Sequence, residues 1–345
     1  MKQNKKGVAI AMSGGVDSSV AALLLKKKYN EVFGITMKHG EFAKKSVKRA
    51  KKIAKVLGIK HYVFDLEKEF REKIITNFCN NYFNGQTPNP CVFCNEKIKF
   101  GLLLEKAKSL GANLFATGHY VRLKKEDNCY QLYKGKDRTR EQSYFLYRLS
   151  QDQLKCSLFP LGRMKKGKIE KIAKKNNINL AKQESREICF IKNDYRNFLK
   201  QKCPQKATPG LIVKNGKKIG THKGLAFYTI GQRKGLPGGQ KKPIYVTNIV
   251  KKNNTLIVGE EKDLYKNELI ANNLSWICKK DFDLPLKVDL KIRYETPSFK
   301  AKIISINKDS LKLEFEKSQK SISPGQSVVF YVKEKVLGGG VIKSY

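Results

Sequence analysis

Over the first two hundred positions, dense apolar runs alternate with striped ones. Gly7–Met12 is a short unbroken run that reads as a buried strand; Asp17–Lys28, carrying Val20–Leu25, reads as a helix; Glu31–Met37 reads as a second strand. Between Phe42 and Leu57 the apolar residues fall at Ala43, Val47, Ala50, Ala54 and Leu57, steps of four and three with lysines between them. That spacing predicts an amphipathic helix closed by Gly58. His61–Asp65 follows as a strand, Lys97–Leu110 as a helix stopped by Gly111, and Asn113–Thr117 as a strand running into Gly118-His119-Tyr120. Strand-helix-strand repetition predicts an α/β fold, a mostly parallel sheet with helices on both faces.

Beyond about residue 200 the helical stripe disappears. Gly and Pro punctuate short runs at Leu211–Val213, Ile244–Val250 and Thr255–Val258. After about residue 268 come Lys287–Tyr294, Lys300–Asn307, Ser310–Glu316 and Ser327–Lys333, separated by turn residues. Short strands at this spacing predict a β-barrel or sandwich. The chain thus divides into an α/β domain over 1–203, a small β domain over 204–267 and a C-terminal β-barrel over 268–345.

Composition narrows the class. The 345 residues are 40% hydrophobic and 29% charged, a globular balance that excludes a disordered tail protein. Their net charge of +41 is costly in self-repulsion and points to a polyanionic partner, RNA or DNA. An AT-rich codon bias toward Lys, Asn and Ile is the plainer source of part of that charge. No run approaches the ~18 apolar residues of a membrane span. Met1–Lys6 is basic, but the apolar stretch behind it is too short for a secretory leader. The expectation is a soluble cytoplasmic protein with no membrane partner. Eight cysteines are too sparse for a disulfide scaffold and read mostly as small buried hydrophobes in a reducing compartment. Cys91-Val-Phe-Cys94 and Cys189 stand apart.

Four segments carry chemistry. Ala11-Met-Ser-Gly-Gly-Val-Asp-Ser-Ser19 lies between a strand and a helix. Gly14 and Gly15 let backbone N–H groups approach an anion, Ser13, Ser18 and Ser19 add hydroxyls, and the helix start aims its positive end at the same point. The Lys-Ser/Thr pair of a Walker loop is missing; the loop resembles that of ATP pyrophosphatases. A Ser/Gly turn with Asp17 as helix cap is the plainer alternative. In Gly85-Gln-Thr-Pro-Asn-Pro-Cys-Val-Phe-Cys-Asn95, Pro88 and Pro90 stiffen a loop that sets Cys94 before a helix, where the dipole lowers a thiol pKa. Cys-x-x-Cys is also half of a zinc site, without a second half here, and the spacing of a redox pair. Cys189, within Ser185-Arg-Glu-Ile-Cys-Phe-Ile191, is by default a core thiol. Phe115-Ala-Thr-Gly-His-Tyr120 ends a strand, where α/β folds bind ligands.

Taken in order, these segments resemble the tRNA-specific 2-thiouridylase family (MnmA/TrmU), within the ATP pyrophosphatase superfamily. The likeness continues through Gln142-Ser-Tyr-Phe-Leu-Tyr147, Tyr228-Thr-Ile-Gly-Gln-Arg-Lys-Gly-Leu236, Ser323-Pro-Gly-Gln326 and Leu337-Gly-Gly-Gly340. It implies an adenine nucleotide alpha-hydrolase-like α/β domain and an ATP-dependent sulfurtransferase acting on the wobble uridine, position 34, of tRNA. ATP with Mg2+ adenylates the C2 oxygen, and sulfur from a cysteine persulfide replaces it, giving 2-thiouridine, AMP and pyrophosphate. The implied catalytic pair is Cys94, the nucleophile, and Cys189, the persulfide carrier loaded by a cysteine desulfurase relay. Cys94 either attacks the persulfide, leaving a Cys94–Cys189 disulfide, or assists acid–base steps. The disulfide route requires the two Cβ atoms within about 3.5–4.5 Å.

By the same likeness Ala11, Met12, Ser13, Gly14, Gly15, Val16, Asp17, Ser18, Met37 and Gly118 would contact ATP. Asn89, Pro90 and Cys91 would meet the target base. His119, Arg140, Glu141, Gln142, Arg293, Tyr294 and Gln326 would meet tRNA, with lysine, glutamate and glutamine acceptors expected. The chain departs from many relatives in three places. Cys91 stands where they have Asp, Met37–Phe42 is shorter and lacks an acidic, cysteine-containing insertion, and Arg140-Glu141 replaces Lys-Asp. A third thiol also opens a Cys91–Cys94 disulfide or an iron–sulfur site on Cys91, Cys94 and Cys189. Two rivals stay open: a pyrophosphate-loop ligase or amidotransferase acting on a small substrate, and a basic RNA-binding protein whose nucleotide loop has degenerated.

Overall fold

The computed structural model describes residues 7–178, 188–192, 194–203, 207–238, 242–278 and 282–345. Met1–Lys6, Ser185–Glu187 and the residues just after the 203/204 division lie outside these.

The first domain is a five-stranded sheet. Its elements in chain order are β1 (Val8–Ala11), α1 (Val16–Lys26), β2 (Val32–Lys38), α2 (Lys44–Leu57) and β3 (Lys60–Asp65). Then α3 runs through Glu67–Phe70, Arg71–Ile75 and Thr76–Phe83, and α4 through Pro90–Phe93, Cys94–Leu103 and Leu104–Ser109; the middle segment of each is π-helical. β4 (Leu114–Ala116) and the short β7 (Ser157–Leu158) complete the sheet; a hairpin of β5 (Val121–Glu126) and β6 (Cys129–Lys134) and the helix α5 (Gln151–Lys155) lie between them. All pairings are parallel in the order β3-β2-β1-β4-β7. β1 is therefore covered on both faces, as a central parallel strand must be. Val8 and Ile10 pack with α1, α2 and α6 (Lys166–Lys175), while Ala9 joins the core formed with α3 and α4.

The predicted α/β architecture is observed, with two kinds of difference. α3, α5, α6, β7 and the β5–β6 hairpin have no counterpart in the sequence reading, and α4 starts at Pro90 rather than Lys97. That second difference moves Cys94 from ahead of a helix into its second turn.

α7 (Tyr195–Lys202) leads into a four-stranded sheet of β8 (Gly210–Lys214), β9 (Lys217–His222), β10 (Tyr245–Val250) and β11 (Thr255–Gly259). Arg196 on α7 fixes it to this sheet's loops, donating from Nε to the Phe227 carbonyl (2.9 Å) and from Nη2 to Gln232 (3.0 Å). The C-terminal strands are β12 (Tyr265–Trp276), β13 (Leu286–Lys291), β14 (Phe299–Ile306), β15 (Ser310–Lys320), β16 (Ser327–Val332) and β17 (Lys335–Ser344). They pair antiparallel, and β12 meets β17, which closes a six-stranded barrel around Leu269, Leu290, Leu313 and Phe330. The β5–β6 hairpin extends this sheet from β17, so two strands of the first domain belong to the barrel's hydrogen-bonded system.

Two disulfides tie the parts together: Cys79 on α3 with Cys203 at the end of α7, and Cys129 on β6 with Cys278 just after β12. Reading most cysteines as small hydrophobes is corrected for these four. Cys91, Cys94, Cys156 and Cys189 are free thiols.

Candidate active site

Open parallel sheets bind ligands where neighbouring strands leave in opposite directions. Here that point is the carboxyl end of β1, with β2 on one side and β4 on the other. The chain leaves β1 through Met12-Ser-Gly-Gly15 and enters α1. Ser18 donates from Oγ to the Gly15 carbonyl (3.1 Å) and accepts from the Ser13 amide (3.2 Å), while Ser19 bonds the same carbonyl (2.9 Å). These bonds hold the loop open over the amide end of the helix, whose first N–H groups lack intrahelical partners and favour an anion. Gly14 sits at φ +70° against α2. Asp17 accepts from the Tyr120 hydroxyl (2.7 Å) and from Lys166 Nζ (2.8 Å), so its carboxylate anchors the helix start to two other elements. From β4, Gly118 backs onto this turn: a Cβ there would lie 3.0 Å from the Ser18 amide nitrogen. Met37 is at the end of β2, packed on the core beside the loop.

The second part is the Gln86–Asn95 segment. The Thr87 amide donates to the Pro324 carbonyl (2.8 Å), and Gln326 donates to the carbonyls of Thr87 (3.1 Å) and Pro88 (3.3 Å). The Ser323-Pro-Gly-Gln326 turn of the barrel therefore grips the proline loop of the first domain. Asn89 hydrogen-bonds Tyr144, and the Asn95 side chain donates to the Phe145 carbonyl (3.1 Å). Cys91 is half-buried and Cys94 buried. Burial pushes the Cys91 thiol up and the Cys94 thiol up to about 11, partly offset in each case by Lys99. The expectation that a helix dipole lowers the Cys94 pKa is overturned: desolvation outweighs a dipole whose terminus is a full turn away.

Cys189 is exposed, and its Sγ lies 3.7 Å from Nε2 of His39. Crowding by protein on its inner side pushes this thiol up too, with Cys94 and Cys91 adding to the effect and Lys99 opposing it. His119 accepts or donates at Nδ1 with Thr117 (2.8 Å), and burial holds its pKa well below the usual histidine range, so it is neutral. Among the described residues, no three Cys, His, Asp or Glu side chains converge to hold a metal ion. The three thiols share a neighbourhood but do not form a ligand set for an iron–sulfur cluster as arranged.

Lys99 links these groups: its charge bears on His39, Cys91, Cys94, His119 and Cys189. Neither Lys99 nor His39 stands out in the sequence. Lys99 is one of 71 basic residues, and only the turn of α4 that it occupies signals its position.

The remaining sequence-picked residues lie where the first domain meets the barrel. Glu141 is buried and accepts from the Ser143 amide (2.5 Å); Gln142 accepts from the Tyr120 amide (3.0 Å). Arg293 donates to the Ser321 carbonyl and to Ser323 Oγ, and the Tyr294 ring packs on Phe145 at 4.5 Å. Arg140 precedes Glu141 and is half-buried. Arg122, Lys124, Lys136, Arg138 and Arg163 line a cleft of about 440 Å³ with one carboxylate, Glu334. Arg122 and Arg138 both pair with Glu334. The lining keeps a strong positive excess.

Family models match along the chain: a tRNA methyl transferase HUP domain over 6–193, a tRNA methyl transferase PRC-barrel domain over 196–260 and an aminomethyltransferase beta-barrel domain over 266–342. The tRNA-specific 2-thiouridylase MnmA of Clostridium acetobutylicum is 44% identical over 355 residues, covering 99% of this chain and all of that one. The tRNA-specific 2-thiouridylase MnmA 2 of Thermoanaerobacter sp. X514 is 47% identical, covering 97% of each. A solved U34-tRNA thiolase, NcsA from Methanococcus maripaludis with its [4Fe-4S] cluster, is 18% identical over 57% of this chain and 65% of its own, with a TM-score of 0.38. That likeness is too distant to bear on the site.

Proposed function

This chain belongs to the tRNA-specific 2-thiouridylase MnmA family, and from that premise we propose that it converts the wobble uridine of tRNA to 2-thiouridine with ATP and a persulfide donor. The observation that carries the reading is the anion-binding turn that follows β1, held open by Ser18 and Ser19, with Cys94 and Cys189 as free thiols within the charge field of one lysine.

The chemistry is in two halves. The C2 oxygen of uridine is a poor leaving group, so it attacks the α-phosphorus of Mg-ATP, and pyrophosphate departs. The amide end of α1 and the hydroxyls of Ser13 and Ser18 receive the phosphate charge. Cys189 carries the incoming sulfur as a persulfide. Cys94 attacks Cys189 Sγ, sulfide leaves, and a Cys94–Cys189 disulfide remains; sulfide then adds to C2 and AMP departs. Two equivalents of an external thiol reduce the disulfide for the next turnover, the first forming a mixed disulfide that the second resolves, and they leave as their own disulfide. Both thiols rest protonated at neutral pH, which keeps them from reacting before substrate is bound. Asn89–Cys91, anchored through Asn89 to Tyr144 and following the Thr87–Pro88 turn that Gln326 holds, faces the target base in this scheme. The 1–203, 204–267 and 268–345 division assigns the ATP chemistry to the first part and RNA contacts to the first and last.

The test is a mass-spectrometric nucleoside assay on unmodified tRNA incubated with the protein, Mg-ATP and a persulfide donor. 2-Thiouridine and AMP are expected together. AMP without a thiolated base would leave the adenylation half and refute the substrate; neither product would refute the enzyme reading.

The cationic cleft is the natural seat for the tRNA backbone. Each phosphate contact adds about 0.7–0.9 to the slope of log affinity against log salt, so Lys136→Ala with Arg163→Ala should lower that slope by about 1.4–1.8. Filter binding from 50 to 300 mM salt, about the range where such slopes are read, checks it; an unchanged slope would remove the cleft from the RNA path.

A further inference from the structure

We propose that His39 is the base that takes the thiol proton of Cys189 when this residue is loaded with sulfur. The inference rests on Cys189 being the persulfide carrier. His39 lies just beyond the end of β2, two residues past Met37, in the segment whose length departs from many relatives. Its ring is buried and wedged between Phe42 (5.3 Å) and Phe70 (4.7 Å). Phe70 also meets Phe190 (5.7 Å), the neighbour of Cys189, so one aromatic cluster fixes both the imidazole and the backbone that carries the thiol.

The hydrogen bonds set the tautomer. Nδ1 is 3.4 Å from the Met37 carbonyl, which only accepts, so the proton sits on Nδ1 and the lone pair on Nε2 faces Cys189 Sγ at 3.7 Å. Burial favours the neutral ring, with Lys99 acting in the same direction. The titratable and charged groups bearing on the pair are Lys99 from α4 and the thiols of Cys91 and Cys94; Phe42, Phe70 and Phe190 supply none. A neutral imidazole facing a protonated thiol is a general base at rest, not a preformed ion pair.

The step balances as follows. The Cys189 S–H proton passes to Nε2 while Sγ attacks the terminal sulfur of a donor persulfide, R–S–SH. The Sγ–S bond forms and the donor S–S bond breaks, its electron pair leaving on R–S⁻. That thiolate takes the proton back from the imidazolium. Sulfur moves between two thiols with no net oxidation.

The test uses the full-length protein and reads the rate of iodoacetamide alkylation at Cys189 by peptide mass spectrometry from pH 6 to 10. His39→Phe retains an aromatic ring but no acceptor. At pH 7 it should slow alkylation of Cys189 about a hundredfold, at the low end of what a general base contributes. The gap should narrow toward pH 10, where hydroxide removes the proton unaided, and the Cys94 rate should not change. His39→Ala should recover part of the loss when imidazole is added, which also covers a poorly folded phenylalanine variant. A Cys189 rate in His39→Phe equal to or above wild type across the range, or no imidazole recovery in a folded His39→Ala, would overturn the proposal. Alkylation needs no sulfur donor, so it stands apart from the carrier role. If Cys189→Ser still thiolates tRNA, the carrier reading fails and the proposal with it, whatever the alkylation rates.

Discussion

Cys189→Ser and Cys94→Ser are each expected to abolish 2-thiouridine while AMP continues to form when ATP and tRNA are supplied. A serine oxygen cannot hold a sulfane sulfur, and a serine at 94 cannot attack the persulfide, so each loss should exceed about a thousandfold, the scale seen when a reacting nucleophile is removed. Adenylation uses the Ser13–Ser18 turn and should stay within a few-fold of wild type. Cys91→Ser is the discriminating third variant. Cys91 is half-buried and free, and the disulfide route assigns it no bond-making role, so it should retain thiolation within about tenfold, the cost of perturbing a neighbour rather than a reactant. The assay is the nucleoside analysis with AMP measured in parallel. Full thiolation by Cys94→Ser would remove the disulfide route, and loss of activity in all three variants would mean that the thiols act as one unit.

Four strands of the parallel sheet were legible because their signals are local, each a short apolar run; the fifth, β7, is only two residues long and carries no such run. Features that depend on distant pairing were not legible. The β5–β6 hairpin joins the barrel through Tyr133 and Lys335, two hundred residues apart, and nothing near either residue announces it. The same holds for Cys79–Cys203 and Cys129–Cys278, separated by 124 and 149 positions. α3 did carry a local signal: its buried residues Phe70, Ile74, Phe78 and Tyr82 fall at steps of four, the stripe of a helix. Cys94 shows how a small boundary error changes chemistry. Starting its helix at Lys97 gave the thiol a helix end; starting it at Pro90 buries the thiol and raises its pKa. The candidate residues come from contiguous motifs, whereas Lys99 and His39 owe their place to tertiary contact. His39 lies 150 positions from the thiol it faces.

Gly118→Val is expected to act in the opposite sense to the cysteine variants, removing AMP formation and thiolation together. A Cβ at 118 would sit 3.0 Å from the Ser18 nitrogen, 3.1 Å from the Asp17 carbonyl carbon and 3.2 Å from Ser18 Cα. All three are backbone atoms that cannot swing aside, so the branched side chain must push the start of α1 away from β4. The amides that receive the phosphates move with it. A shift approaching 1 Å in groups that position a reacting phosphate costs about a hundredfold, which sets the expected loss in AMP. Gly118→Ala should fall between, because its single carbon makes the same contact without branches. Asp17, held by Tyr120 and Lys166, ties the helix start to two other elements and limits the damage, so melting should drop by only a few degrees. Chromatographic AMP release with unmodified tRNA, paired with a thermal melt, checks this. Wild-type AMP release from a folded Gly118→Val would show that the α1 terminus is not where the phosphates bind. Loss of both products here, against loss of sulfur transfer alone at Cys94 and Cys189, separates the two halves of the reaction within one chain.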